Sequence, residues 1–179
     1  MRKFLDWMVL GVLGLLLPAS AVAAPLTQTQ VSNYIASHAE AQALTEQIPI
    51  PQKNIDRHRP LVSGVELLAK DSQLYQSLGN IAQRHHFRNP EQWADVGDRV
   101  MNAYFIAKQG TTLELIKRNY KEAEQRINSN PDYTEQHKKA VLVGMEKGYL
   151  RNVGKIQDAQ PDLPAVIELM DLIAPLYAQ

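Results

Sequence analysis

The sequence has no cysteine and no net charge, and these two absences exclude several classes of protein at the outset. Among its 179 residues, 19 basic side chains balance 19 acidic ones. Without cysteine the chain can form no disulfide framework, thiolate zinc site, iron–sulfur cluster, cysteine nucleophile or thioether-attached haem. Without net charge it has no overall field to attract nucleic acid, so we expect no nucleic-acid partner.

The local motifs of catalysis are missing too. The chain contains no GxSxG, no SxxK and no glycine-rich phosphate loop. Its five histidines are His38, His58, His85, His86 and His137, and none follows an HxxxH, HExxH or ExxH spacing. We therefore predict no metal, no cofactor and no catalytic residue from local spacing. A site that only the fold assembles stays open.

Long apolar runs are rare, and the one present lies at the start of the chain. Basic Arg2 and Lys3 precede an apolar run of 11 residues over 7–17, followed by Pro18 and small residues. This order is typical of a secretory signal peptide. The run would span roughly 16 Å, about half of a bilayer core, so we expect no stable membrane anchor after cleavage.

The leader defines the mature chain. Ala23 ends a small-x-small pattern, and we prefer cleavage after it to cleavage after Ala24. Residues 1–23 are thus predicted to be a cleaved signal, and 24–179 a single domain of 156 residues with a net charge of −1. The predicted location is the periplasm, with secretion as the alternative.

The mature sequence predicts helices from end to end. No segment shows sustained period-2 alternation and no Asn-Gly or Asp-Gly hairpin turn occurs. Polar capping residues mark the expected helix starts, namely Thr27, Ser63, Asp71 or Ser72, Asn89, Thr111, Asp132 or Thr134, and Asp162. We predict an all-α fold, a single compact bundle of six or seven helices with mixed crossing angles, interrupted by a proline-rich connector at 49–62.

The helix after Asn89 has the clearest start, because Pro90 follows at its first position. Trp93 and Gly97 share its predicted inner face, and we expect Gly97 to admit a neighbouring helix or the indole. Asp98 and Arg99 lie about 140° and 120° from Trp93 on a helical projection, so we expect both to face solvent.

The adjacent His85 and His86 allow two interpretations. Either they belong to a metal or pH-sensing site, or they sit near a helix C-terminus with Arg84 and Arg88, where positive charge complements the helix dipole. Because neighbouring residues diverge by about 100° on a helix, the two histidines cannot easily share one ion. We favour the second interpretation.

Lys147, Arg151 and Lys155 recur every fourth residue and form a basic stripe on the longest predicted helix. Such a stripe could bind an anionic lipid, lipopolysaccharide or nucleic acid. It could equally stabilise the last turns of the helix, which we favour, by about 0.3–1 kcal/mol per cation.

The same helix contains Gly144 and Gly148. Each glycine costs a helix about 1 kcal/mol relative to alanine, so their presence needs a reason. We favour close packing of a neighbouring helix, and the alternative is a flexible point or a groove that docks a partner.

Two stretches resemble known families. Leu26 to Gln30 reads LTQTQ and resembles the LTxxQ motif of periplasmic chaperones and stress regulators of the Spy/CpxP type, which usually carry it twice. The second candidate here, Tyr133 to His137, departs from the motif. The segment 86–99 is similar to the Phe…Glu-x-Trp-Ala…Gly-Asp-Arg segment of uncharacterised small exported proteobacterial helical proteins. These resemblances imply export and a helical domain, and no catalytic residue.

The sequence thus favours an exported helical protein that acts by binding an envelope protein or a small ligand, without catalysis of its own. A chaperone-like or envelope-stress role is the most concrete version. The alternative is a small-ligand carrier or enzyme whose site assembles from separated helices near Trp93. The candidate interaction residues are His85, His86, Trp93, Gly144, Gly148, Lys147, Arg151 and Lys155.

Overall fold

The computed structural model describes residues 24–47 and 55–178, and in these ranges the chain is helical with no strand. The predicted leader and residues 49–54 of the predicted connector lie outside the described residues. The helices are α1 (Gln28–Gln47), α2 (Pro60–Glu66), α3 (Gln73–Arg84), α4 (Pro90–Lys108), α5 (Leu113–Ser129), α6 (Glu135–Ala159), α7 (Leu163–Ile167) and α8 (Met170–Ile173), followed by a 3₁₀ turn at Ala174–Tyr177. The all-α prediction is confirmed.

Local caps start four of these eight helices where the sequence predicts, namely α1, α3, α4 and α6. Asn89 accepts the Gln92 N–H at 2.8 Å, and the Ser72 and Thr134 side chains cap α3 and α6. At α1, Thr27 Oγ1 accepts the Gln30 N–H at 3.2 Å, and Gln30 Oε1 accepts the Thr27 N–H at 2.9 Å. This reciprocal pair is a complete capping box. The α5 cap is Thr112 rather than the predicted Thr111.

The start of α2 differs from the prediction. The sequence predicts it at Ser63, but the helix begins at Pro60, inside the predicted connector. The carboxylate of Asp98 on α4 accepts the N–H groups of Leu61 and Val62, each at 3.0 Å. A cap supplied from more than 30 residues away leaves no local signal.

The C-terminal region also differs, because the single helix predicted after Asp162 is two short helices and a 3₁₀ turn. Leu169 leaves helical geometry at φ −114° and ψ 14° between α7 and α8. Pro175, without an N–H, then lies in the 3₁₀ turn. The described residues therefore form eight α helices, against the six or seven predicted.

The core surrounds α4, which packs against α1, α2, α3, α6 and α7. The largest fully buried hydrophobic side chains come from both ends of the described chain and from α4 between them, and they are Tyr34, Tyr104, Ile173, Val31, Val100 and Val166. The N-terminal and C-terminal segments thus close on the same central helix.

The α5–α6 pair forms a hairpin that lies largely outside this core. Among the described residues, α5 has no buried side chain, and α6 buries only Ile156 and Ala159 near its end. Within the hairpin the rings of Tyr120 and Tyr149 stack with centroids 4.5 Å apart. The two helices therefore pack on each other more than on the rest of the protein.

No helix in the described part of the chain combines the length and the apolar character needed to cross a membrane.

Candidate functional site

Trp93 is a core residue. Its indole Nε1–H donates to Ser37 Oγ at 2.8 Å, and that hydroxyl donates to the Tyr34 carbonyl oxygen at 2.8 Å. The Tyr34 ring lies against the indole with centroids 5.7 Å apart. Because the indole is buried and its N–H is satisfied by another buried side chain, this face of α4 is filled by the protein itself.

The packing expected at Gly97 is confirmed. A Cβ at this position would lie 2.5 Å from the Tyr34 ring and 2.5 Å from Leu61 Cδ1. The missing side chain is therefore what lets α1 and α2 approach α4.

The solvent-facing position predicted for Asp98 and Arg99 is wrong. Asp98 is 5% exposed and caps α2. Burial raises the pKa of its carboxyl, although the two backbone N–H donors act to lower it. A helical projection assumes solvent on the side of α4 opposite Trp93, whereas Asp98 there contacts the start of α2 and Arg99 contacts Asp162 at the start of α7.

Arg99 forms a clamp with Asp162 that holds the N-terminal segment. The guanidinium donates to Asp162 Oδ2 at 2.8 Å and to Oδ1 at 2.6 Å. Asp162 Oδ1 also accepts the Leu26 N–H at 2.8 Å, and Arg99 donates to the Ala24 carbonyl at 2.7 Å. The sequence suggested Asp162 only as a helix cap, and its side chain makes no cap hydrogen bond.

His85 and His86 lie at the C-terminal end of α3, as favoured above. The His85 ring is 2.8 Å from Glu40 Oε1, and Arg84 pairs with the same carboxylate. These hydrogen bonds lower the pKa of Glu40. His86 is the next residue, with a positive φ of 65°. In the ranges that the structure describes, no three His, Cys, Asp or Glu side chains are grouped to hold a metal ion.

The basic stripe of α6 divides between two places. Lys147 and Arg151 are exposed on the hairpin, whereas Lys155 is partly buried at the base of the hairpin beside α4. The stripe is therefore not one continuous surface.

The packing interpretation of the α6 glycines is wrong. A Cβ added at Gly144 or Gly148 would meet no atom within 4 Å among the described residues. In the described part of the chain no helix packs on these two positions, and the alternative interpretation, a flexible point or a groove that docks a partner, stays a prediction.

These glycines adjoin two exposed apolar side chains that the sequence reasoning missed. Val143 is 46% exposed and Leu150 is 58% exposed. On a helical projection they lie within about 20° of each other, on the side away from α5. We call the strip formed by Lys139, Val143, Gly144, Lys147, Leu150 and Arg151 the α6 outer face. Among the described residues, its three cations make no ion pair.

No protein-family model matches this chain, and neither a curated protein nor a solved structure is found to match it. The resemblances of residues 26–30 and 86–99 therefore stay predictions.

Proposed function

We propose that this chain is an exported periplasmic protein that acts by binding other proteins, in a chaperone-like or envelope-stress role, with no catalysis of its own. The observation that carries the proposal is the α6 outer face. It presents Val143 and Leu150 to solvent on a hairpin that contributes little to the core.

The position of these residues supports a binding role. Single exposed apolar side chains are common on protein surfaces and need no explanation. Here two of them lie one above the other, two turns apart, and a Cβ at the neighbouring Gly144 would meet no described atom within 4 Å. Such a strip can accept an apolar segment of a partner along its length.

The charges of the strip indicate the partner's chemistry. Lys139, Lys147 and Arg151 flank the apolar residues, and Glu146 borders the strip on one side. The strip is therefore net positive, which favours a partner that combines acidic and apolar side chains, such as a partly unfolded acidic protein.

The N-terminal features support export. The predicted leader ends at Ala23, and Arg99 donates to the carbonyl of Ala24, the residue that follows the predicted cleavage point. Cleavage after Ala23 would leave that contact intact. The LTxxQ resemblance of residues 26–30 is compatible with the same role, although the capping box also accounts for Thr27 and Gln30.

An aggregation assay tests the proposal. Protein recovered from a periplasmic fraction is mixed with α-lactalbumin, an acidic client that aggregates when it is reduced. Reductant leaves this chain unchanged because it has no cysteine. We expect suppression of light scattering near equimolar ratio, and loss of most of that suppression in the V143S/L150S variant.

The matched control is I167S/L172S. Ile167 and Leu172 are 53% and 59% exposed, but they lie on α7 and α8. We expect this variant to suppress the aggregation of α-lactalbumin as well as the parent protein does. With reduced lysozyme, a basic client, we expect the parent protein to suppress aggregation less. Absence of suppression, equal loss in both double variants, or absence of the protein from the periplasm would contradict the proposal.

A further inference from the structure

A cleft of about 550 Å³ lies between α4, the end of α6 and the turn that precedes α2. It is on the side of α4 opposite Trp93 and separate from the α6 outer face. Its volume falls within the range of small-molecule sites, roughly 300–1,000 Å³.

The floor of the cleft is built from charges that already have partners. Asp98 accepts two backbone N–H groups, and Asp162 is paired with Arg99. At the edge, Arg59 lies 3.7 Å from Asp95. These groups hold the walls of the cleft in place. Because their hydrogen-bonding atoms are already used, they have few left to bind a ligand.

Some charges of the cleft have no ion-pair partner. Among the described residues, Arg57 and Lys155 line the cleft and make no ion pair. Of its carboxylates, Asp98 and Asp158 make none either, and Asp98 is held by the Leu61 and Val62 N–H groups instead. Arg57 is fixed on a short turn, in which Asp56 accepts the His58 N–H at 2.9 Å and donates its own N–H to Ser63 Oγ at 3.0 Å. Among the described residues, Arg57 and Lys155 are therefore the cations of the cleft that have no carboxylate partner.

Part of the remaining lining is apolar, beside the polar side chains of His58 and Asn102. Phe105 is 37% exposed and, with Met101, lines the cleft from α4, while Ala159 lines it from α6. An amphipathic anion needs an apolar surface for its body and a cation for its charged group. The aromatic ring and the cations without an ion-pair partner provide these two parts in one cleft.

We propose that this cleft binds a small organic anion, with its carboxylate or phosphate group held by Arg57 and Lys155 and its apolar body against Phe105 and Met101. A guanidinium provides two parallel donors that match either anion, and the lysine ammonium adds a point charge. This site is independent of the protein-binding role proposed above.

Calorimetric titration of the protein with three probes tests the site. The probes are phenyl phosphate, 3-phenylpropionate and inorganic phosphate, each at low ionic strength because exposed charges are screened by salt. We expect both aromatic anions to bind saturably at one site per chain. Inorganic phosphate, which lacks the apolar body, is expected to bind about tenfold more weakly than phenyl phosphate.

Two charge-matched double variants distinguish this cleft from general attraction to cations. R57Q/K155Q is expected to weaken both aromatic anions by about tenfold or more. K147Q/R151Q removes the same charge from the α6 outer face and is expected to leave their affinity unchanged. Because Lys155 is partly buried, R57Q alone, in an exposed turn, repeats the test without risk to the core.

The proposal is overturned if neither aromatic anion gives saturable heat, if K147Q/R151Q weakens binding as much as R57Q/K155Q, or if inorganic phosphate binds as tightly as phenyl phosphate.

Discussion

Replacing Asp162 by alanine is expected to lower the free energy of unfolding by about 3–5 kcal/mol, the usual cost of removing one partner of a buried ion pair. Asp162 is 1% exposed, and its carboxylate pairs with Arg99 and accepts the Leu26 N–H. The substitution leaves the partly buried guanidinium with only its longer contact to Asp95, at 3.9 Å, and leaves a buried N–H without its acceptor. Urea denaturation followed by far-UV circular dichroism measures the loss.

The neighbouring Asp158 provides the control. It lies four residues earlier and is exposed, so D158A is expected to change the free energy of unfolding by less than about 0.5 kcal/mol. D162N keeps an acceptor for the Leu26 N–H but removes the charge, and its effect should fall between those of the two alanine variants. A change below about 1 kcal/mol in D162A would show that the clamp does not hold the N-terminal segment to the core.

Gly97→Ala is expected to destabilise the protein, although the same change normally stabilises a helix interior by about 1 kcal/mol. The added Cβ would lie 2.5 Å from the ring of the buried Tyr34, which cannot move without repacking against Trp93. Overpacking of this kind costs about 1–3 kcal/mol. We expect a net loss of about 1–2 kcal/mol, measured as a lower denaturation midpoint at an unchanged m-value.

Gly144→Ala is the matched substitution with the opposite expected sign. It also lies inside a helix, but its Cβ would meet no described atom within 4 Å. We expect the free energy of unfolding to rise by up to about 1 kcal/mol. If Gly97→Ala also raised the free energy of unfolding, the close approach of α1 and α2 to α4 at Gly97 would be contradicted. If Gly144→Ala lowered it, the open surroundings of Gly144 would be contradicted.

The sequence predicts a helix start correctly where the capping side chain is close in sequence to the N–H that it caps. The starts of α1, α3, α4 and α6 were predictable because each cap lies within three residues of the N–H that it accepts. The start of α2 was not, because its acceptor is Asp98 on another helix. Asp162 was misread for the same reason: it had the position of a cap, but its partners are Leu26 and Arg99.

The candidate surface was predictable only in part. The spacing of Lys147 and Arg151 indicated a basic stripe, and Gly144 is unusual inside a helix. The favoured roles were stabilisation of the helix end for the two cations and close helix packing for the glycine. The exposure of Val143 and Leu150 was not predicted, because an apolar residue in a helix is normally expected to face the core. Their spacing of seven places both on one side of α6, off the inward stripe of Val141 and Met145. Only the position of α5 shows that this side has no partner within the described domain.

The most direct test of the account is the position at which a bound client touches the chain. A photo-crosslinking amino acid is placed at Val143 on the α6 outer face or at Ile167 on α7, and each variant is mixed with reduced α-lactalbumin before irradiation. Both positions are about half exposed, so reactivity toward solvent is similar. The account predicts strong cross-linking from position 143 and little from 167. Equal cross-linking from both, or cross-linking from 167 alone, would contradict the claim that the hairpin carries the binding surface.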